Sequence, residues 1–316
     1  MALSLRQKRV PTEELTLHHQ HLSLPVPFHR DIQTLLAPTG EAKALMLLLL
    51  EHEAGLTTTQ VLMGEADGLS PNVKTALEAK ARRVADGEPI QYVLGETQFC
   101  GLRIGVEPGV LIPRPETEEL VRWAAKQIQE ASEQTGEPTA LRMLDLCTGS
   151  GCIALALKSL FPNAEVLAVD VSEDALRIAN SNAKLLGLDV TFLQTDVLQP
   201  SAGDETKAFL DLIVSNPPYV CQSEEEQMEP NVLEHEPHLA LFVPDDDPLR
   251  FYKAIARHGQ RLLKQGGRLM LELNPRFADE TANLLEQSGY SDIIICQDAF
   301  GKQRMISATW NHSENQ

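Results

Sequence analysis

The sequence predicts an α/β protein: a doubly wound, seven-stranded sheet whose last strand is antiparallel, preceded by a small N-terminal helical domain. Three observations lead there. From residue 141 onward, apolar runs of strand length alternate with helical segments, the pattern of a sheet covered on both faces. The last two runs, SDIIICQ and RMISATW, are separated only by DAFGKQ, and so short a connection joins antiparallel neighbours. Ahead of the sheet, residues 31–86 read as helices with short loops between them.

The elements follow in chain order. Residues 1–28 read as a flexible N-terminal segment. Its HHQH cluster, His18 to His21, lacks Cys or Asp partners and reads as solvated surface, not as a metal site. Residues 29–88 form the helical domain, suited to substrate recognition or packing. In it, TGEAKALMLLLLEHEAG has Thr39 near an N-cap position and Gly55 just past the end. Its apolar run ALMLLLL is too short to span a bilayer and faces a core. SPNVKTALEAKARRVADG has Ser70 as cap, Pro71 at the first helical position and Gly87 as stop. Residues 89–115 alternate apolar and polar between Gly101, Gly105, Pro108 and Gly109, and read as a β-hairpin linker. A helix over 116–132 opens the large domain, residues 116–310, and 311–316 are a tail. Further helices are expected over 152–160, 173–186, 248–263 and 276–287.

The composition narrows the function. Against 27 Lys and Arg stand 45 Asp and Glu, a net charge of −18, so a broad nucleic-acid surface is not expected. The five cysteines, Cys100, Cys147, Cys152, Cys221 and Cys296, are scattered and form no C-x-x-C. They read as reduced thiols of a cytoplasmic protein, with neither a disulfide frame nor a zinc site. The N-terminus lacks the apolar core of a signal peptide, and no membrane association is expected.

Two stretches carry chemistry. The first strand of the large domain runs into DLCTGSGCIALAL, a glycine turn that lets a ligand approach the backbone of Cys147, Thr148, Gly149, Ser150 and Gly151. Gly149, Gly151 and Ala154 satisfy G-x-G-x-x-A, a short pattern and weak evidence alone. The second strand ends in Asp170, placed to accept from both hydroxyls of a ribose, because Ser172 already serves as cap for the next helix. Asp196 and Val197, at the end of the third strand, are expected to line an adenine ring. A dinucleotide and S-adenosylmethionine both fit so far. The fourth strand, FLDLIVSN, then breaks into VSNPPY, residues 214–219. Hydride transfer has no use for this sequence, whereas transfer to a planar NH₂ group does. The Asn216 side-chain oxygen and the Pro217 carbonyl can each accept one N–H. Pro218 stiffens the turn, and Tyr219 can stack on the planar group. The stretch therefore reads as a clamp for an amide or aromatic amine.

The combination of PIQYVLGETQF, GVLIPRPETEELV, DLCTGSG, AVDVSEDAL and SNPPYV resembles the bacterial release-factor glutamine methyltransferases, the PrmC/HemK family, over about residues 30–310. NPPY is shared with adenine-amino methyltransferases of DNA, whereas IPRPETE at 112–118 is far more specific, and EPHLALF at 236–242 is similar to a further family segment. The resemblance implies a class I S-adenosylmethionine-dependent methyltransferase sheet. It also implies methylation of the side-chain amide of the glutamine in the Gly-Gly-Gln loop of class I peptide chain release factors. By the same resemblance, residues 147–151 are the cofactor loop, Asp170 binds the ribose, Val197 meets the adenine, and Asn216 to Tyr219 hold the glutamine, with Asn216 also close to the methyl donor. A ribosomal protein of the large subunit is the alternative substrate. An adenine-amino nucleic-acid methyltransferase is a further one, disfavoured by the acidity. The family's first loop glycine is Cys147 here, which passes if its backbone angles are ordinary. DDDP at 245–248 replaces a glycine-containing turn, and His235 and His238 flank that loop as solvated side chains. Glu116 and Glu272 could lie near the site.

Overall fold

The computed structural model describes residues 26–135, 141–199 and 209–311. The HHQH cluster lies outside the described residues.

Four helices, α1 (Phe28–Leu35), α2 (Ala42–Ala54), α3 (Thr58–Leu62) and α4 (Pro71–Ala85), build the N-terminal unit. Phe28, Ile32, Met46, Leu49, Leu50, Val61 and Leu77 are buried together at its centre. Phe28 thus belongs to this unit and not to the segment before it; its N–H donates to Asp67 Oδ1 at 2.6 Å. Ser70 caps α4 by accepting from the Val73 N–H, and Pro71 follows at the first helical position. At the start of α2 the expectation fails. Glu41 holds the cap position, while Thr39 closes a separate 3₁₀ turn that ends at left-handed Gly40.

The linker is only partly a hairpin. PIQYVL winds into a short helix, α5 (Ile90–Leu94), because Pro89 fixes the entry and left-handed Gly95 closes it after one turn. Tyr92 and Val93 are buried from it, and the Tyr92 hydroxyl donates to the Val110 carbonyl at 2.6 Å. The hairpin itself is β1 (Glu96–Phe99) and β2 (Leu102–Gly105), turned by Cys100 and Gly101 with φ of 49° and 79°. Two positive φ values in a two-residue turn match the right-handed twist of the flanking strands.

After α6 (Pro115–Thr135) the chain enters the sheet through β3 (Arg142–Leu146), α7 (Cys152–Leu160), β4 (Glu165–Asp170), α8 (Glu173–Leu186), β5 (Thr191–Gln194) and β6 (Leu210–Ser215). The returning segment holds β7 (Val220–Cys221), α9 (Pro230–His235), α10 (His238–Leu241) and β8 (Phe242–Val243). It is followed by α11 (Arg250–Leu262), β9 (Leu263–Glu272), α12 (Ala278–Gln287), β10 (Tyr290–Gln297) and β11 (Gln303–Trp310). The seven-stranded order is β10-β11-β9-β6-β3-β4-β5, with β11 antiparallel to both of its neighbours. The last strand is antiparallel, as expected, but it lies inside the sheet and β10 takes the edge. Burial explains the placement: Met305 to Thr309 are buried without interruption, whereas β10 alternates between covered and open positions.

Strand order reverses at β3, which pairs with β4 on one side and β6 on the other. Leu146 stands opposite Ser215, so the loops leaving these two strands start side by side. The Ser215 hydroxyl ties the ends together by donating to the Leu146 carbonyl at 2.5 Å. Crevices at such reversals are where open α/β sheets bind ligands.

One glycine in α11 is required by packing. A Cβ on Gly259 would stand 2.1 Å from the Tyr290 hydroxyl oxygen. That hydroxyl is anchored to the Ala256 carbonyl at 2.7 Å and cannot yield without losing its bond. Gly259→Ala is therefore expected to destabilise the fold by about 1–3 kcal/mol. An unchanged urea midpoint would show that α11 and β10 do not pack this closely.

Candidate active site

The glycine turn is held from beneath by Asp145, the fourth residue of β3 and 0% exposed. Its Oδ2 accepts from the Thr148 hydroxyl at 2.6 Å and from the Ala154 N–H at 3.2 Å. The Asp145 Oδ1 atom is buried without a partner. Burial pushes this carboxyl up to about 7, against the two hydrogen bonds and with the help of the Asp170 charge. Above the carboxyl, Cys147, Gly149 and Gly151 take φ of 60°, 56° and 81°. Cys147 does not meet the condition of ordinary backbone angles. It occupies the left-handed region, where a Cβ meets the following carbonyl and costs about 1–2 kcal/mol. At Gly151 even a Cβ would press on Ala179 at 3.0 Å, so α8 lies directly against the turn.

Asn182 of α8 fixes the turn from the side. It accepts from the Gly105 N–H at 2.8 Å and donates to the carbonyls of Gly105 and Ser150 at 3.0 and 2.9 Å. One buried amide thus ties the hairpin to the glycine turn.

Asp170, at the end of β4, accepts from the Gly149 N–H at 2.9 Å and the Ser172 N–H at 3.0 Å. Burial raises its pKa, and these backbone donors pull it back. Asp196 Oδ1 accepts from the Leu198 N–H at 2.9 Å, and Val197 is buried with its carbonyl against His258 Nε2 at 2.9 Å.

A cavity of about 390 Å³ opens between these loops. Its wall includes Cys147, Thr148, Gly149 and Ser150, then Asp170, Asp196 and Val197, and across from them Asn216 and Pro218. Gly151 stands behind the wall. Pro217 and Tyr219 are not on it either. Tyr219 is therefore no stacking platform in this structure: its ring packs against the core beneath β6 and β9, and its hydroxyl donates to Glu272 Oε1 at 2.8 Å.

The IPRPETE segment, far away in sequence, completes the wall with Pro113, Arg114 and Thr117. Glu236, from EPHLALF, is 4% exposed; it accepts from the Ile112 N–H at 3.0 Å and from Arg114 Nη2 at 2.6 Å. The two family segments are thus bonded to each other. Thr117 reaches Glu272 Oε2 at 2.6 Å and receives Asn216 Nδ2 at 3.0 Å. Burial raises the pKa of Glu272, opposed by its bonds to Thr117 and Tyr219 and by the Arg304 charge. Glu116 does not line the cavity; its charge acts on Glu272 and Arg304. Asp245 of the DDDP turn accepts from the N–H and hydroxyl of Ser223 at 3.0 and 2.7 Å, a side-chain lock on this turn. His238 Nε2 lies 3.0 Å from the Leu233 carbonyl, and the ring meets Phe242 edge-on.

Sequence reading missed Asp145, Asn182, Arg114 and Thr117. The signal for the last two was present in IPRPETE, of whose polar side chains only Glu116 suggested itself as a site residue.

The cavity's wall suits a nucleoside-bearing cation. It offers carboxylates for hydroxyl groups, and the Ser150 hydroxyl is buried without a protein partner. The sheet order, its antiparallel β11 and the glycine turn define the fold of S-adenosylmethionine-dependent methyltransferases. The model of the methyltransferase small domain matches residues 128–236, and that of the PrmC N-terminal domain residues 30–95. The release factor glutamine methyltransferase of Bacteroides thetaiotaomicron is 44% identical over 271 residues, 86% of this chain and 94% of that protein. That of Flavobacterium psychrophilum is 43% identical over 77% of this chain and 85% of its own. That of Chlorobaculum tepidum is 37% identical over 79% and 84%. The chain belongs to the family of release factor glutamine methyltransferases.

The buried Asp145 makes a prediction. In the fold its carboxyl holds a proton up to about pH 7, whereas unfolded it releases it near its ordinary 3.8. Between these values the native state binds more protons, so stability falls as pH rises through the window. Asp145→Asn carries no such titration. The stability of the parent protein relative to this variant is expected to fall by about 1–4 kcal/mol from pH 4 to pH 8. A difference that does not change with pH would contradict the burial of this acid.

Proposed function

We propose that the protein transfers a methyl group from S-adenosylmethionine to the side-chain amide nitrogen of the glutamine in the Gly-Gly-Gln loop of class I peptide chain release factors. One observation carries the reading: Asn216 and Pro218 share a cavity wall with the glycine turn and Asp170, at the reversal of strand order.

The cofactor supplies a methyl group already activated by its sulfonium. The wall residues of the glycine turn, Cys147 to Ser150, would hold it, and Gly151 shapes the turn behind them. Asp170 would accept from its ribose hydroxyls, and Val197 would face its adenine. An amide nitrogen is a poor nucleophile because its lone pair is delocalised into the carbonyl. The Asn216 side-chain oxygen, on the cavity wall, takes one of its N–H groups and aims it at the methyl group; the Pro217 carbonyl, expected as a second acceptor, is not on the wall. The work of these residues is alignment, which can lower a barrier by about 7–11 kcal/mol for well-oriented reactants. The proton departs after transfer, when the nitrogen has become acidic. Tyr219 supports the loop from below through Glu272. The helical domain, the hairpin and the EPHLALF segment suit recognition of a protein partner. The net charge of −18 disfavours a DNA phosphate backbone.

The test is label transfer from methyl-labelled S-adenosylmethionine to release factor, to its Gly-Gly-Ala variant and to duplex DNA. Label on the glutamine of the unaltered factor alone is expected. Label on DNA, or equal label on the Gly-Gly-Ala variant, would refute the reading. Asp170→Ala is expected to weaken S-adenosylmethionine binding by roughly tenfold or more in calorimetry, the loss of charge-assisted hydrogen bonds. Unchanged affinity would remove the ribose role.

A further inference from the structure

A primary amide has two ends, an acceptor oxygen and a donor NH₂. Asn216 can serve as an acceptor for a substrate N–H only if its oxygen faces the cavity. Nothing in Asn216 itself enforces that choice, since the two ends are nearly equal in size. The choice is made by what lies behind it.

Asn216 Nδ2 meets Thr117 Oγ1 at 3.0 Å, and Thr117 Oγ1 meets Glu272 Oε2 at 2.6 Å. The other carboxylate oxygen, Oε1, takes the Tyr219 hydroxyl at 2.8 Å. Thr117 is 2% exposed and Glu272 1%, so water does not substitute for these partners. Oε2 takes the Thr117 hydroxyl and Oε1 the Tyr219 hydroxyl, and the Arg304 charge opposes the rise in pKa that burial imposes, so the carboxyl meets Thr117 with an acceptor oxygen. The single Thr117 proton must therefore go to Glu272. The Thr117 oxygen is left with lone pairs only, and can bond to Asn216 solely by accepting. Asn216 must then turn its NH₂ inward and its oxygen towards the cavity. The three side chains come from three elements, α6, β9 and the loop after β6, and meet because Leu271 pairs with Ser215.

We propose that Thr117 and Glu272 are positioning residues that set the polarity of Asn216, and so select a substrate nitrogen that donates rather than one that accepts. The inference rests on the reading of Asn216 as an amide clamp. It extends that reading to the class of group accepted: a primary amide or amine nitrogen with protons to give.

Substitution separates this role from mere packing. Thr117→Val keeps the shape and removes the hydroxyl. Thr117→Ser keeps the hydroxyl and trims a methyl group. Glu272→Gln keeps the shape, but its NH₂ can donate to Thr117. That frees the Thr117 proton to point at Asn216 and draw the amide round, so that donor faces donor. With the full chain, release factor as acceptor and S-adenosylmethionine affinity measured in parallel, Thr117→Val is expected to lower kcat by about 10- to 100-fold, the scale of a misplaced reacting group. Cofactor Kd is expected to stay within about twofold, because no cofactor-holding residue is altered. Thr117→Ser should restore kcat to within about threefold of the parent protein, and Glu272→Gln should lose at least about fivefold with unchanged cofactor Kd. Asn216→Ala is the reference. If it loses turnover while Thr117→Val and Glu272→Gln both keep parental kcat, the clamp stands and the polarity inference is overturned. If Asn216→Ala itself keeps turnover, the clamp is wrong and the inference goes with it. Should Thr117→Val fail to fold, Glu272→Gln alone decides: parental kcat in that variant overturns the inference.

Discussion

The active end of the molecule depends on one pairing, the parallel register of β3 with β6 that sets Leu146 beside Ser215. Because the strand order reverses there, the two loops that leave these strands diverge above an open crevice instead of being covered by a crossover helix. A one-residue slip of that register would turn every side chain of β6 over. Asn216 would then leave the wall, and the Ser215 hydroxyl would leave the Leu146 carbonyl. Burial makes such a slip costly, since Leu210, Leu212, Ile213 and Val214 are all fully buried.

The crevice is surrounded by bonded acids, of which Asp145, Glu236 and Glu272 are buried and Asp170 half-buried. Asp145 holds the glycine turn, Asp170 the same turn from the next strand, Glu236 the IPRPETE segment and Glu272 the loop after β6. A buried carboxylate is stabilising only where its lone pairs are met, and removal of one partner of a buried pair is strongly destabilising. Arg114, 32% exposed, pairs with the buried Glu236 and so joins the linker to the EPHLALF segment. The loops around the cavity are thus held by side chains from distant parts of the chain, which suits the proposed mechanism of alignment.

Much of this was legible in the sequence where the cause is local. Ser70 and Ser172 cap their helices through bonds to the third residue on, and the positions of Gly149 and Gly151 announce a turn. The short DAFGKQ connection fixed β11 as antiparallel. What was not legible depends on distant partners. Thr117 and Glu272 are 155 residues apart in sequence, Ile112 and Glu236 124, and Gly105 and Asn182 77. No periodicity encodes such contacts. Tyr219 was read as a stacking ring because an aromatic beside a clamp suggests one, and the buried Glu272 that takes its hydroxyl could not be seen. PIQYVL falls in the stretch whose alternation and glycines suggest a hairpin, although one helical turn between Pro89 and Gly95 satisfies the same residues. Cys147 shows the limit in the other direction. The left-handed turn is imposed by the fold, and the sequence fills it with a residue that pays for the strain.

In the proposed mechanism Asn216 presents an oxygen, not an NH₂ group, to the substrate nitrogen. The most direct measurement is a structure of the enzyme bound to demethylated cofactor and a release factor carrying the target glutamine. The expected result is the glutamine nitrogen within about 3 Å of Asn216 Oδ1, with Asn216 Nδ2 still on Thr117 Oγ1. A glutamine nitrogen out of reach of Asn216 Oδ1, or Asn216 rotated with its oxygen on Thr117, would contradict it.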